Sequence, residues 1–331
     1  MKAVIPVAGA GTNLRPHTYT QPKPLIPVAG KAIISFIIDD LIAEGVDDFV
    51  FVIGYLGEKI KDYVEGHYPN IKKEFVVQHE RMGSAHAIWT AKDAIQDAEE
   101  VFIFFGDTII DADIKTMLES EHSCLAVKKV EDPRQFGVVE IGENDFVKKV
   151  VEKPTIPKSN LASVGVYKIK EVKKLLSIIQ NRFEKQIAEV GEFPLTDAIM
   201  GMIEEGTKFI TYPVDNWFDC GKSEILLKTN ATLLDKEGYA DEDLPTFYNT
   251  IIIHPVSIGK DCDIKNSIIG PHVTIGNNTE VHNSIISESI IGSFSRIEEI
   301  VLNQSLVGSD ASIRGLSQRL NIGDNTEIDF T

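Results

Sequence analysis

Short apolar runs alternate with amphipathic stretches over the first two thirds of the chain. KAVIPV (2–7) is a strand-type run that ends in a glycine-rich stretch. KAIISFIIDDLIAEG (31–45) follows with apolar residues at helical spacing and Gly45 as a stop. DDFVFVIGY (47–55), EFVVQ (74–78) and VFIFFGD (101–107) read as strands, with helices between them at EKIKDYVEGH (58–67) and SAHAIWTAKDAI (84–95). Strands rich in Val, Ile and Phe that alternate with helices predict a largely parallel sheet covered on both faces. Ligands of such sheets sit beyond the carboxyl ends of the strands. The glycine stretch and Gly106-Asp107 both fall there.

From residue 124 to 169 the runs shorten (CLAVKKV, GVVEI, VKKVVEK, SVGVYKI) and turns separate them, which predicts an antiparallel or mixed extension able to hold a second ligand. Helices follow at about 171–183, 193–204 and 222–235. KEGYADEDLP (236–245) is acidic, holds Gly and Pro, and lacks apolar periodicity, as a linker does. Beyond it a repeat begins. Ile258-Gly259 and Ile275-Gly276 stand 17 apart, and Ile291-Gly292 is 16 further on. Ile264, Val281 and Ile297 repeat with the same steps, as do Ile269, Ile286 and Leu302. Three interleaved apolar columns in one register, with Gly, Asn and Ser between them, predict a short left-handed parallel β-helix of hexapeptide type. The expected organisation is an α/β domain over 1–235, a linker over 236–248 and the β-helix over 249–331.

Composition narrows the chemistry. A formal charge of −17 argues against non-specific nucleic-acid binding and against a basic membrane patch, so any polyanionic ligand must meet a local cluster of cations. Three distant cysteines and eight scattered histidines give neither a disulfide framework nor a zinc motif. The apolar runs are too short to span a bilayer, and 2–7 reads as a strand rather than a signal segment. The expected compartment is the cytoplasm, which makes the Asn-x-Thr at Asn277 a chance glycosylation match.

The glycine stretch AGAGTNLRPHTYTQPKPL (8–25) carries the strongest chemical signal. In Gly9-Ala10-Gly11-Thr12 the backbone can approach a ligand closely and cradle phosphate oxygens with its N–H groups. Arg15 follows, and Lys23 lies between Pro22 and Pro24 on what reads as a stiff, extended segment. Asp107 comes directly after an apolar strand, where a carboxylate can hold Mg²⁺ against phosphate oxygens. Asp219 in NWFDCGKSE repeats that arrangement, and two such carboxylates fit a metal bridging two anionic substrates. Asp111 and Asp113 read instead as caps for a following helix. Gln78 ends a strand and Gly83-Ser84 opens a helix, so an amide beside free backbone could read a base edge, or simply cap two elements. Glu152 and Lys153 precede a proline and suit sugar hydroxyls and a phosphate, or form one more surface pair.

In their order and spacing these pieces resemble the sugar-1-phosphate nucleotidyltransferases, especially the long-form glucose-1-phosphate thymidylyltransferases and uridylyltransferases. The carriers are Gly9-x-Gly11-Thr12-x-Leu14-Arg15-Pro16, Pro22-Lys23-Pro24-Leu25-x-Pro27-Val28, Gln78 with Gly83-Ser84-Ala85-His86-Ala87, Phe105-Gly106-Asp107, Glu152-Lys153-Pro154, Trp217-x-Asp219-x-Gly221 and the repetitive tail. The resemblance implies a Rossmann-like three-layer domain with a mixed, mainly parallel sheet. It also implies a Mg²⁺-dependent reaction in which an NTP and a sugar 1-phosphate give an NDP-sugar and pyrophosphate.

By the same resemblance Ala8, Gly9, Gly11, Thr12, Asn13 and Lys23 hold the triphosphate, and Asp107 and Asp219 hold the metal. Gln78, Gly83 and Ser84 then read a pyrimidine base, which favours dTTP or UTP. Gly137, Glu152 and Asn160 contact the sugar, glucose 1-phosphate being the expected acceptor, and Lys153 holds its phosphate.

One position departs from the family pattern. Asn13 stands where the family has arginine, and asparagine donates a hydrogen bond but brings no charge. Losing one preorganised donor of this kind costs about 3–4 kcal/mol. Arg15, two residues on, is a candidate substitute, and only an extended loop would put both side chains on one side. The alternative is a sugar-nucleotide-binding regulatory or scaffold subunit with little catalysis. A third reading gives the β-helix an acyltransferase role with His254, His272 or His282 as base. At the 17-residue period His254 aligns with Pro271, so no repeated site emerges, and homo-oligomerisation, dimer to tetramer, is the expected role of the tail.

Overall fold

The computed structural model describes residues 1–186, 191–236 and 238–315. Two compact units emerge. One comprises Met1–Ile26 with Lys31–Leu226, the other Pro27–Gly30 with the described residues from Leu227 onward.

The first unit is built on the strands β1 (Lys2–Pro6), β2 (Asp48–Ile53), β3 (Lys72–Val77) and β4 (Val101–Phe104). β1 lies between β2 and β4, and β3 flanks β2, all in parallel register. Alternation along β1 and β2 sends Val4, Val50 and Val52 into one apolar cluster and Ala3, Ile5, Phe49 and Phe51 into another. The second cluster includes Ile34, Ile37 and Ile38 of α1 (Ile33–Ala43) and Ile60 and Val64 of α2 (Gly57–His67). The first includes Ala85 and Ile88 of α3 (Ser84–Thr90). A sheet buried on both faces follows directly from its unbroken apolar strands.

The mixed extension is present. A short strand β5 (Thr108–Asp111) comes first, then β6 (Ser123–Lys129), β7 (Gly137–Ile141), β8 (Val147–Glu152) and the long β9 (Leu161–Ile169). β9 runs antiparallel to β4, β6 and β7, and β8 closes the edge against β7. Helices α4 (Val172–Gln186) and α5 (Leu195–Glu204) add Leu175, Ile179, Ala198 and Ile199 to the first cluster. β10 (Phe209–Pro213) extends the sheet in parallel beside β6, and β11 (Asn216–Asp219) pairs antiparallel with β5. Asp113 caps the helix that follows it, accepting a hydrogen bond from the Thr116 N–H, as its position implied. Asp111 instead accepts from the Asn216 amide.

The helix α6 (Ser223–Leu234) runs from the first unit into the second, which consists otherwise of stacked parallel strands. Three four-stranded sheets form, and their pairings repeat the periods of the sequence. Ile258 pairs with Ile275, Ile264 with Val281 and then Ile297, and Ile269 with Ile286 and then Leu302. Ile264, Ile269, Val281, Ile286 and Ile297 are buried together. The architecture is that of the left-handed parallel β-helix the repeat implies. Corners fall on left-handed residues, among them Asn249, Asp261, Asn266, Asn278 and Asn283, whose short polar side chains tolerate that backbone. Residues 316–331 of the expected β-helix lie outside the described residues.

Candidate active site

Beyond the carboxyl end of β1 opens a cavity of about 480 Å³. Ala8, Gly9, Gly11, Thr12 and Asn13 line it together with Lys23, Gln78, Gly83, Ser84 and Asp107. Gly11 sits at φ +59, and a Cβ there would meet Thr18 Cγ2 at 3.0 Å and Lys23 Cβ at 3.1 Å. The tight turn that packs Thr18 and Lys23 beneath the loop therefore depends on glycine.

The loop is not extended. Thr12–Leu14 is a 3₁₀ turn, in which residues two apart project to different sides. Asn13 lines the cavity, while the Arg15 guanidinium lies over the Tyr19 ring, 5.0 Å from its centroid. The condition for Arg15 to replace an arginine at position 13 is not met. Lys23 likewise opens a 3₁₀ turn, Lys23–Leu25, after an extended Pro22, rather than standing on a straight segment.

Lys23 is nonetheless the best-held side chain of the site. It is 8% exposed, its Nζ donates to Asp107 Oδ2 at 2.8 Å, and it stands 3.8 Å from Asp219 Oδ1. Burial works against the ammonium charge, but Asp107, and after it Asp219, outweigh it and hold the lysine pKa above its ordinary value. The Asp219 carboxyl is pushed up, first by burial, with Lys23 pulling it back and Asp107 pushing it further. Strand register explains the convergence. Asp219 ends β11 opposite Thr108, the residue after Asp107, so two distant segments deliver their carboxylates to one point.

A second cavity of about 190 Å³ adjoins the first, and Ser84, Phe105 and Asp107 line both. Gly137, Glu152 and Asp219 line it, as do Tyr167, Thr196 and Trp217. Glu152 Oε2 accepts a hydrogen bond from Thr196 Oγ1 at 2.9 Å. Trp217 Nε1 is buried and, among the described residues, is the one such side-chain N or O without a hydrogen-bond partner. An indole nitrogen is a donor only, so this N–H has hydrogen-bonding capacity that the described residues do not use. Lys153 and Asn160 line neither cavity. Lys153 is exposed, with its Nζ 3.9 Å from Glu152 Oε1, and Asn160 is exposed as well.

The wall between the cavities is stapled. Phe193 donates its N–H to the Met82 carbonyl at 2.8 Å, Ala85 donates to the Phe193 carbonyl at 3.0 Å, and Leu195 donates to Ser84 Oγ at 2.8 Å. Gly83, at φ +97, sits so close that a Cβ would lie 2.4 Å from the Phe193 carbonyl oxygen. Only glycine fits there.

Sequence reasoning missed Trp217, Thr196, Tyr167, Arg81 and Glu192, the last two of which line the first cavity. Trp217 had a signal: it stands two residues before Asp219 on a strand and so shares its face. Arg81 and Glu192 sit in irregular segments where no periodicity points a side chain.

Asp107 and Asp219 supply hard, anionic oxygens, the donor type Mg²⁺ prefers. Among the described residues no group of three or more His, Cys, Asp or Glu could enclose a metal. Two carboxylates completed by phosphate and water oxygens match how Mg²⁺ binds beside nucleotides. No helix among the described residues is long and apolar enough to cross a membrane.

The chain is similar to several known proteins. The bifunctional protein GlmU of Methanocaldococcus jannaschii is 40% identical over 240 residues, 71% of this chain and 55% of that protein. The chain thus spans about half the length of that relative. A glucose-1-phosphate thymidylyltransferase of Streptomyces griseus is 26% identical over 367 residues and is matched along the whole of both chains. Among solved structures, a Bacillus anthracis protein assigned as a glucose-1-phosphate thymidylyltransferase, in complex with sucrose, superposes with a TM-score of 0.62 at 26% identity, covering 72% of this chain and 96% of that one. The family model described as nucleotidyl transferase matches residues 2–236, and the chain belongs to that family.

Proposed function

We propose that the protein is a sugar-1-phosphate nucleotidyltransferase that makes an NDP-sugar and pyrophosphate from dTTP or UTP and a sugar 1-phosphate, glucose 1-phosphate foremost. The carrying observation is the pair of adjoining cavities that share Asp107, with Lys23 held between Asp107 and Asp219. In this reading the glycine loop and Lys23 bind the triphosphate in the larger cavity. Glu152, Thr196 and Trp217 bind the sugar in the smaller one. The sugar phosphate oxygen attacks the α-phosphorus as the bond to the β-phosphate breaks in line. Positioning and fixed positive charge are most of what such a transfer asks of a protein. Asp107 and Asp219 are the residues to hold Mg²⁺, which when bound supplies charge neutralisation to the phosphates. Arg81 takes the place assigned to Arg15 as the further cation lining the nucleotide cavity.

A second reading, a binding subunit with little turnover, is favoured by the uncharged Asn13 in the cavity and by the diversion of Arg15 onto Tyr19. One assay separates them. With Mg²⁺, glucose 1-phosphate and each NTP in turn, the enzyme reading expects pyrophosphate release with dTTP or UTP. It also expects Asn13→Arg to raise the rate only modestly. Turnover that appears only in Asn13→Arg would establish the binding subunit instead.

A further inference from the structure

Gln78 lines the nucleotide cavity and is 7% exposed, so its amide has few orientations open to it. Its Nε2 lies 2.8 Å from His86 Nδ1 and 3.4 Å from the Gly83 carbonyl oxygen. A carbonyl oxygen only accepts, so the amide edge facing Gly83 is the NH₂ edge. That same NH₂ reaches His86 Nδ1, which must then be the acceptor. The imidazole then carries its proton on Nε2. Phe183 meets the His86 ring edge-on at 5.5 Å and fixes its plane. Both donors of the Gln78 amide are thereby spent on protein, and Oε1, a pure acceptor, is what remains.

We infer that His86 is a positioning residue that locks the Gln78 amide with its oxygen toward the base, so that the site selects bases bearing an imide N–H and rejects cytosine. Thymine and uracil each present an N3–H to such an acceptor, whereas cytosine presents a lone pair at N3 and would meet oxygen against nitrogen. A site built around one hydrogen bond discriminates strongly because the mismatched partner leaves a buried polar group unpaired. Burial of His86 holds its pKa below the ordinary value, against the pull of Glu80, and this keeps the accepting, neutral ring. The inference rests on the nucleotide reading of the cavity.

The test compares UTP, CTP and N3-methyl-UTP, both in turnover and in calorimetric binding, for wild type, His86→Leu and His86→Asn. Wild type should prefer UTP to both others. His86→Leu, which frees the amide to turn over, should cut the UTP-to-CTP ratio of kcat/KM by about 10-fold, the worth of one such hydrogen bond, through KM rather than kcat. His86→Asn, which keeps an acceptor oxygen near the Nδ1 position, should restore most of the ratio. A His86→Leu ratio equal to that of wild type, or a wild type that prefers CTP, would overturn the inference. If no NTP is turned over, the proposed reaction fails, while the binding ratios still decide the role of His86.

Discussion

The β-helix and the paired cavities draw on the same residue types, Ser, Asn, Asp and Gly, and put them to opposite use. In the β-helix polar groups saturate one another. Ser267 donates to the Lys265 carbonyl and accepts from Ser284 N–H, Ser284 repeats the pattern with His282 and Ile300, and the corners stack in register. His272 is clamped between Glu288 at 2.7 Å and Asp235 at 3.0 Å. Around the two cavities, by contrast, Asp107 and Asp219 keep nearly half of their side-chain surface open, and the Trp217 N–H has no partner among the described residues. Satisfaction builds a rod, and incomplete satisfaction builds a site.

Three substitutions test how separate these uses are. Lys23→Ala should have the largest effect, lowering kcat by about 10²–10³ through loss of one preorganised cation, with the β-helix unaffected. A loss of melting temperature matching the loss of rate would erase the distinction. Ile286→Val removes one methylene from the buried column and should cost about 1 kcal/mol in thermal or denaturant unfolding of the β-helix at unchanged kcat. A changed kcat would mean that the rod reports to the site.

His272→Gln should have the smallest effect, and it depends on pH. Burial opposes the imidazolium, but the hydrogen bonds to Glu288 and Asp235 outweigh it and raise the pKa. The clamp therefore stabilises fully below the ordinary histidine value of ~6.5, and its contribution is lost as the pH rises through the raised folded value. Melting temperatures of wild type and His272→Gln should differ most in mild acid and converge in mild alkali. A gap that is constant with pH would show that the clamp acts through packing alone.

The two regions were also unequally legible. The β-helix could be read because its register is periodic: Ile264, Val281 and Ile297 announce their own neighbours. The sheet could be read for the same reason, down to Asp107 at a strand end. What escaped was side-chain direction in aperiodic backbone. An extended loop would have put Arg15 beside position 13, but the 3₁₀ turn at Thr12–Leu14 sends it to Tyr19. Lys153 and Asn160 came from motif position, which carries no information about which way φ +40 turns the chain at Lys153. His86 looked like one helical residue among others, because its partner Gln78 belongs to a different element.

The staple between 82–85 and 193–195 has a dimensional consequence. It fastens the segment that carries Gly83, beside the larger cavity, to the start of the helix that carries Thr196, beside the smaller one. In the proposed reaction one end of the product lies against each. Three hydrogen bonds and a glycine without room for a methyl thus act as a caliper, setting how long a molecule the two cavities can hold end to end.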